Sequence, residues 1–235
     1  MKPARKPAPE SAQRTRSVTD FERQSDDWYI EEPWAVRSLI LAEPFVGKVW
    51  DPACGIGTVP KAFEAAGFQV IGTDLRDRGY GTGGQNFLAF DRKRINPTDN
   101  IVSNVPFKHA LPFLKQAKAF TTSKVAFLLP LKWLASQKRF QVFRDVWRPA
   151  AVYVLSDRLH MPPGHLIDPE TRLFNCDDPN PKKREDGTLK YRWREGDKPS
   201  GGAVDFCWVV WDHAKNNTKP GETKTGWISK EGILP

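Results

Sequence analysis

The sequence of 235 residues is poor in cysteine and has no long apolar run. Its three cysteines form no CxxC pair, and an odd count does not build a disulfide framework, so we expect a reducing, cytoplasmic setting. No apolar stretch reaches the roughly 18 residues of a membrane-spanning helix. The first residues lack the apolar core of a signal peptide. The four histidines show no zinc-ligand spacing with the cysteines, so no metal site is predicted.

Basic and aromatic residues are plentiful. The chain carries 36 basic and 28 acidic residues, for a formal net charge of +8, which suits a polyanionic partner such as nucleic acid and equally suits a soluble basic protein. With 39% apolar and 11% aromatic residues, the chain can bury a core of ordinary domain size. Composition therefore leaves the partner open.

Helix and strand patterns alternate through most of the chain, which indicates an α/β fold. We predict a seven-stranded, mostly parallel sheet with helices on both faces and an antiparallel last strand. The predicted strands are Lys48–Ala53, Phe68–Leu75, a short extended piece at Asn86–Asp91, Asn100–Ser103, Lys124–Leu131, Ala151–Ser156 and Val204–Trp211. The predicted helices are Glu32–Glu43, Thr58–Ala66, Lys108–Phe120 and Ala135–Trp147.

Two segments depart from this alternation. Residues 1–25 are basic and rich in proline, alanine, serine and threonine, so we expect a flexible tail that is either solvated or in contact with a nucleic-acid backbone. Residues 160–202 are rich in proline, glycine and charge, and a loop of this length inside one domain is often functional. We expect a single domain over residues 26–235, with this basic loop inserted in it.

A glycine-rich turn follows the first predicted strand and opens a helix. Gly55 and Gly57 within Asp51–Thr58 let the backbone turn sharply and approach a ligand closely. Asp74 ends the next strand, where a carboxylate can accept hydrogen bonds from ribose hydroxyls. The turn lacks the third glycine of a dinucleotide fingerprint and a following Gly-Lys-Ser/Thr, so neither NAD nor ATP is favoured. A tight structural turn capped by Asp74 is the alternative.

This loop resembles the D-P-x-C/A-G-x-G-T loop of class I S-adenosylmethionine-dependent methyltransferases. The resemblance implies a Rossmann-like fold with S-adenosylmethionine as the cofactor. It implies that Asp51 and the glycine backbone surround the methionine part, that Asp74 holds the ribose, and that Leu75 lies near the adenine. Asn86-Phe87 stands where the family often has an acid and an aromatic residue. The implied loop contacts are Asp51, Pro52, Cys54, Gly55, Gly57 and Thr58.

A tetrapeptide, Asn104-Val105-Pro106-Phe107, follows the third long predicted strand. An exocyclic amine on adenine is a poor nucleophile because its lone pair is delocalised into the ring. The Asn104 side-chain oxygen and the Val105 or Pro106 carbonyl can accept hydrogen bonds from the amine and localise that lone pair. Phe107 can stack on a base that has left the helix. An ordinary Asn-x-Pro turn is the alternative for the residues taken alone.

The tetrapeptide resembles the [D/N/S]-x-P-[Y/F/W] motif of amino-group methyltransferases, whose adenine-N6 members usually have Asn-Pro-Pro-Tyr or Asn-Pro-Pro-Phe. Upstream, Asp26–Pro33 resembles the D-x-W-x-T-P cofactor segment of phage and prophage DNA adenine-N6 methyltransferases, which implies that Trp28 and Tyr29 close over the cofactor. Packing under the first helix is the alternative for these aromatics. The later stretches Leu128–Leu134 and Ser200–Asp212 also resemble those enzymes.

The expected reaction is methyl transfer from S-adenosylmethionine to adenine N6 in DNA. The alternatives are the same chemistry on RNA, methylation of a protein glutamine, and a catalytically inert cofactor-binding scaffold. No separate recognition domain remains in the sequence, so the basic loop at 160–202 is the candidate segment for substrate recognition. A charged, solvated loop without a binding role explains the same residues equally well. The candidate substrate-binding residues are His109, Lys182, Lys183, Arg184, Lys190, Arg192 and Trp193. Sequence does not decide between a monomer and a homodimer.

Overall fold

The computed structural model describes residues 28–161, 164, 204–215 and 222–233. The helices of this part are α1 (Pro33–Ala42), α2 (Thr58–Ala65), α3 (Ala110–Phe120) and α4 (Gln137–Asp145). The strands are β1 (Val49–Asp51), β2 (Val70–Gly72), β3 (Thr98–Ser103), β4 (Thr121–Pro130), β5 (Ala151–Leu155), β6 (Phe206–Asp212), β7 (Lys224–Ser229) and β8 (Gly232–Ile233). The predicted tail at 1–25 and most of the predicted loop at 160–202 lie outside the described residues.

All of these strands form one sheet in the order β2-β1-β3-β4-β6-β5-β7-β8. Strands β2, β1, β3 and β4 are parallel to one another, β6 runs antiparallel between β4 and β5, and β7 is parallel to β5. The predicted mostly parallel sheet is therefore confirmed. The strand predicted at Val204–Trp211 is antiparallel as expected, but it is not the last strand, because β7 and β8 follow it. The two-residue strand β8 pairs with β7 and adds an eighth strand at one edge.

Alternate residues of the central strands fill two cores, one on each face of the sheet. On β4, Ala126 and Leu128 face the core under α1 and α2, whereas Val125 and Phe127 face the core under α3. Strand β6 is buried at every position, which is the pattern of a strand covered on both faces. These two buried faces fix the register of the strands and hence the position of their ends.

One predicted element is wrong. Asn86–Asp91 does not form an extended strand, because Phe87–Ala89 is a 3-10 helix. The Asn86 side chain caps that turn by accepting a hydrogen bond from the Leu88 amide at 3.1 Å. Phe87 then turns into the core against Trp50, Phe90 and Phe113. In the described ranges, no helix combines the length and the apolar character of a membrane span.

Candidate active site

The parallel strands β2, β1 and β3 end side by side, and a cavity of about 330 Å³ opens at their carboxyl ends. The chain leaves β1 for β2 on one side and reaches β3 on the other, so the cavity lies at the point where the strand order reverses. Open α/β sheets bind their ligands at this place. Asp51, Asp74 and Asn104, which end or follow these strands, all line the cavity.

The glycine-rich loop is built around a backbone contact with Asp74. Gly55 (φ 53°) turns its amide toward Asp74, and its N–H donates to Oδ2 at 2.9 Å. Gly57 (φ 84°) begins α2, and the Tyr80 ring lies so close that a Cβ atom on Gly57 would be 2.5 Å from it. Gly57 thus packs against Tyr80 and does not line the cavity, whereas Gly55, Ile56 and Thr58 do.

Asp51 is a buried carboxylate, 1% exposed, at the end of β1. Its Oδ1 accepts hydrogen bonds from the Ser103 hydroxyl at 2.6 Å and from the Ala53 amide at 3.0 Å. Burial raises the pKa of Asp51 well above its ordinary value, and the nearby carboxylates of Glu31 and Asp74 raise that pKa further against the lowering effect of the two hydrogen bonds. A cationic group in the cavity would relieve this crowding of acids.

The side-chain amide of Asn104 is held in one orientation. Its Nδ2 donates to the Tyr29 carbonyl and to Oε2 of Glu31, both at 2.8 Å. The Tyr29 carbonyl can only accept, so the amide nitrogen must face it, and the Glu31 carboxyl offers a second acceptor oxygen on the same side. The carbonyl oxygen Oδ1 is left to accept hydrogen bonds from a ligand in the cavity that Asn104 lines.

Phe107 and Tyr29 lie in nearly parallel planes, 6° apart, with ring centroids 6.3 Å apart. Phe107 also contacts Phe206 and is half-buried against both cores. Tyr29 and Pro106 line the cavity, whereas the Phe107 ring packs against Tyr29 and Phe206, and Val105 is buried. The side chain of Val105 belongs to the core, so its share in the site is limited to its backbone.

Trp28 forms one wall of the cavity and is held from several directions. The Arg78 guanidinium lies 3.6 Å from the centre of a Trp28 ring, and Arg78 also makes an ion pair with Asp74 at 3.4 Å. The Gly164 amide donates to the Trp28 carbonyl at 3.0 Å. A Cβ atom on Gly164 would lie 2.2 Å from the indole, so only glycine allows this approach.

Most residues predicted from the sequence come together around this cavity. Those that line it are Trp28, Tyr29, Asp51, Pro52, Cys54, Gly55, Thr58, Asp74, Leu75, Asn86, Phe87, Asn104, Pro106 and His109. Cys54 is buried, and burial followed by the charges of Asp51 and Asp74 raises the pKa of its thiol, which fits a packing role. The predicted substrate residues Lys182, Lys183, Arg184, Lys190, Arg192 and Trp193 lie outside the described residues.

Sequence reasoning missed several residues of the site. Glu31 lies inside the aromatic segment that drew attention to Trp28 and Tyr29, but nothing in that segment indicated a contact with Asn104, 73 positions away. Arg78 follows Asp74 by four positions and could have been suspected as its ion-pair partner. Nothing in the sequence around Gly164 indicates a role in the site, because that role depends on the contact of its backbone with Trp28, which is distant in sequence. Among the described residues, no cluster of His, Cys, Asp and Glu has metal-binding geometry.

No family model matches the sequence, and no curated protein matches it. Solved structures do share the fold. A modification subunit of a proposed type I restriction enzyme from Vibrio vulnificus superposes with a TM-score of 0.51 at 14% identity, over 90% of this chain and 51% of the neighbour. A proposed class I S-adenosylmethionine-dependent methyltransferase from Listeria monocytogenes gives 0.47 at 15% identity, over 83% of this chain and 62% of that one.

A predicted O-methyltransferase from Agrobacterium tumefaciens gives a TM-score of 0.49 at 9% identity, over 86% of both chains. The chain spans about half the length of the Vibrio subunit and 62% of the Listeria protein. At these identities the likeness concerns the fold. Together with the strand order, the Vibrio superposition confirms the expected architecture. The chain has the Rossmann-like fold of methyltransferases.

Proposed function

We propose that this protein transfers a methyl group from S-adenosylmethionine to the N6 amine of adenine in DNA. The observation that carries the proposal is the fixed amide of Asn104, which presents an acceptor oxygen at the carboxyl end of β3 beside the glycine-rich loop. The proposal treats residues 26–235 as one catalytic domain.

The cavity suits a cationic adenosyl ligand. Glu31, Asp51 and Asp74 are all buried there, and a positive charge bound in the cavity would offset the repulsion between their carboxylates. S-adenosylmethionine carries a sulfonium and an α-ammonium group, and supplies an electrophilic methyl group when bound. Asp74, which accepts a hydrogen bond from the Gly55 amide, would also accept from the ribose hydroxyls, and Leu75, Asn86 and Phe87 line the part of the cavity proposed for the adenine.

The tetrapeptide would then act on the amine. An N–H of adenine N6 donates to Oδ1 of Asn104 and the other donates to a backbone carbonyl of the tetrapeptide, which favours a localised lone pair on nitrogen. Bound S-adenosylmethionine would supply the methyl group, and these two acceptors would hold the N–H groups so that the nitrogen lone pair faces it; the proton lost by the methylated amine would pass to solvent. The chain's task is to align the amine and exclude water.

DNA is proposed as the methyl acceptor because of the net charge of the protein and the residues that line the cavity. The net charge of +8 favours a polyanion over a protein surface. Lys108 and His109 both line the cavity and are exposed, and a flipped nucleotide would enter beside them. The Vibrio neighbour with this fold is a modification subunit of a proposed restriction enzyme, which accords with DNA. The residues proposed to read the substrate, Lys182, Lys183, Arg184, Lys190, Arg192 and Trp193, belong to the basic loop.

The test is transfer of isotope-labelled methyl groups to duplex DNA, single-stranded DNA, RNA and protein presented separately, followed by identification of the methylated base. The expected product is N6-methyladenine in DNA. N104A should lower turnover by roughly 100- to 1,000-fold, the loss typical of one preorganised hydrogen-bonding group, with little change in cofactor affinity. Label found only in RNA or only in protein would overturn the choice of DNA, and full activity of N104A would overturn the role of the tetrapeptide.

A further inference from the structure

We infer that Glu31 is a positioning residue that fixes the amide of Asn104 and thereby sets the site to receive an N–H donor. The inference rests on the proposed function and adds a residue that the tetrapeptide motif does not contain. Glu31 lies 73 positions before Asn104, yet its Oε2 is 2.8 Å from Asn104 Nδ2. Glu31 is not placed on the reacting atoms, and its action passes through Asn104.

The contact between Glu31 and Asn104 selects one of two orientations of the Asn104 amide, because the amide nitrogen donates hydrogen bonds and the amide oxygen accepts them. If the Asn104 amide turned over, Oδ1 would face the Glu31 carboxylate and the Tyr29 carbonyl, and two hydrogen bonds would become contacts between oxygens. The amide nitrogen would then face the cavity and offer donors to an amine that itself needs acceptors. Glu31 therefore excludes the orientation that cannot hold the amine.

Glu31 is itself held firmly. It is 7% exposed, in the short segment between Trp28 and α1. That segment is fixed on either side of Glu31: the Gly164 amide donates to the Trp28 carbonyl at 3.0 Å, and the His160 amide donates to Oε2 of Glu32, also at 3.0 Å. A buried carboxylate on a fixed backbone has few ways to move away, so Asn104 meets a rigid acceptor.

The first experiment compares E31A with E31Q. E31A removes one of the two acceptors of the Asn104 amide and leaves the Tyr29 carbonyl, so the turned-over amide becomes more populated, and turnover should fall by on the order of 10- to 100-fold with a smaller change in KM for DNA. The glutamine of E31Q can still accept the same hydrogen bond through its carbonyl, so E31Q should lose several-fold less turnover than E31A. E231A, which removes an exposed carboxylate at the β7–β8 turn, is the matched control and should behave as wild type.

The second experiment exchanges the hydrogen-bonding roles of residues 31 and 104, so that residue 31 donates and residue 104 accepts. N104D keeps an acceptor for the amine but sets a carboxylate against both Glu31 and the Tyr29 carbonyl, so turnover should fall sharply. In the double variant N104D/E31Q, the glutamine amide can donate to that carboxylate while the contact with the Tyr29 carbonyl stays, and turnover should recover at least about tenfold relative to N104D, short of wild type. A residue that only supports the fold would not produce this recovery, because E31Q adds no packing.

The outcomes separate the inference from the proposed function. If wild-type protein methylates no amine in any acceptor, the proposed function fails whatever Glu31 does. If wild type is active and E31A keeps its turnover, or if N104D/E31Q is no better than N104D, the role of Glu31 is overturned. Should E31A not fold, the comparison of N104D with N104D/E31Q decides alone, because both variants keep side chains of nearly native size.

Discussion

Replacing Gly57 by alanine tests whether the glycine-rich loop is held by Tyr80 as the structure indicates. Gly57 has φ 84°, and a left-handed residue with a Cβ costs about 1–2 kcal/mol. A Cβ atom there would also lie 2.5 Å from the Tyr80 ring, and forcing an extra carbon into a packed site costs about 1–3 kcal/mol more. G57A should therefore lower the free energy of unfolding by about 2–5 kcal/mol.

Gly67, just beyond the other end of α2, is the matched control. It has φ 88°, but beyond its chain neighbours no described atom lies within 4 Å of the position a Cβ would take. G67A should cost only the backbone part, about 1–2 kcal/mol, and each kcal/mol lowers Tm by about 2–4 °C in a protein of this size. Thermal unfolding of both variants measures the difference, which isolates the collision with Tyr80.

A double-mutant cycle then locates the cause. Y80A removes the ring that Gly57 meets and also the hydrogen bond from the Tyr80 hydroxyl to Glu64. In the G57A background, Y80A should cost less than in wild type, because it also removes the collision. Equal losses of stability in G57A and G67A, or additive effects of G57A and Y80A, would refute the reasoning.

Three further predictions concern the cavity. D51N should be more stable than wild type at neutral pH and should bind S-adenosylmethionine more weakly. Burial raises the pKa of Asp51, so the folded state holds this proton more tightly than the unfolded state. As the pH rises above 3.8, the stability of wild type should therefore fall relative to that of D51N, and urea unfolding at several pH values measures the difference. R78M should weaken the binding of S-adenosylmethionine, measured by calorimetry, because Trp28 and Asp74 lose the side chain that contacts both of them. R94M, which replaces an exposed arginine, is the control and should leave the binding unchanged. Cys54 should react slowly with a thiol reagent at pH 8 while the protein is folded, since burial raises its pKa, and rapid labelling would contradict that environment.

Much of the fold could be predicted because local pattern and burial agree. Apolar runs such as Val125–Leu129 read as strands covered on both faces, and they are central strands in the structure. The strand ends that carry Asp51, Asp74 and Asn104 could be placed at one edge, since parallel strands share their carboxyl edge. Asn86 was misassigned because its side chain caps a 3-10 turn, a local hydrogen bond that an apolar pattern does not reveal.

What could not be predicted depends on pairs that are distant in sequence. The contact between Glu31 and Asn104 needs the segment before α1 to meet the end of β3, and no spacing rule gives that meeting. Gly57 illustrates the same limit within the loop: the sequence marks it as a glycine that a turn requires, but only the fold shows that the ring of Tyr80, 23 positions on, occupies the space of its missing side chain. Phe107 was expected to stack on the target base, and the sequence did not indicate that its ring packs against Tyr29 and Phe206, which are both distant from it in sequence.

The antiparallel strand β6 also has a consequence for biosynthesis. It lies between β4 and β5, and Lys124 on β4 pairs with Asp212 on β6 across a long intervening stretch of chain. Until β6 has been synthesised, β4 has a free edge and β5 lacks its link to the rest of the sheet. Exposed strand edges invite pairing with other chains. Newly made chains therefore expose these edges to other chains until β6 joins β4 to β5.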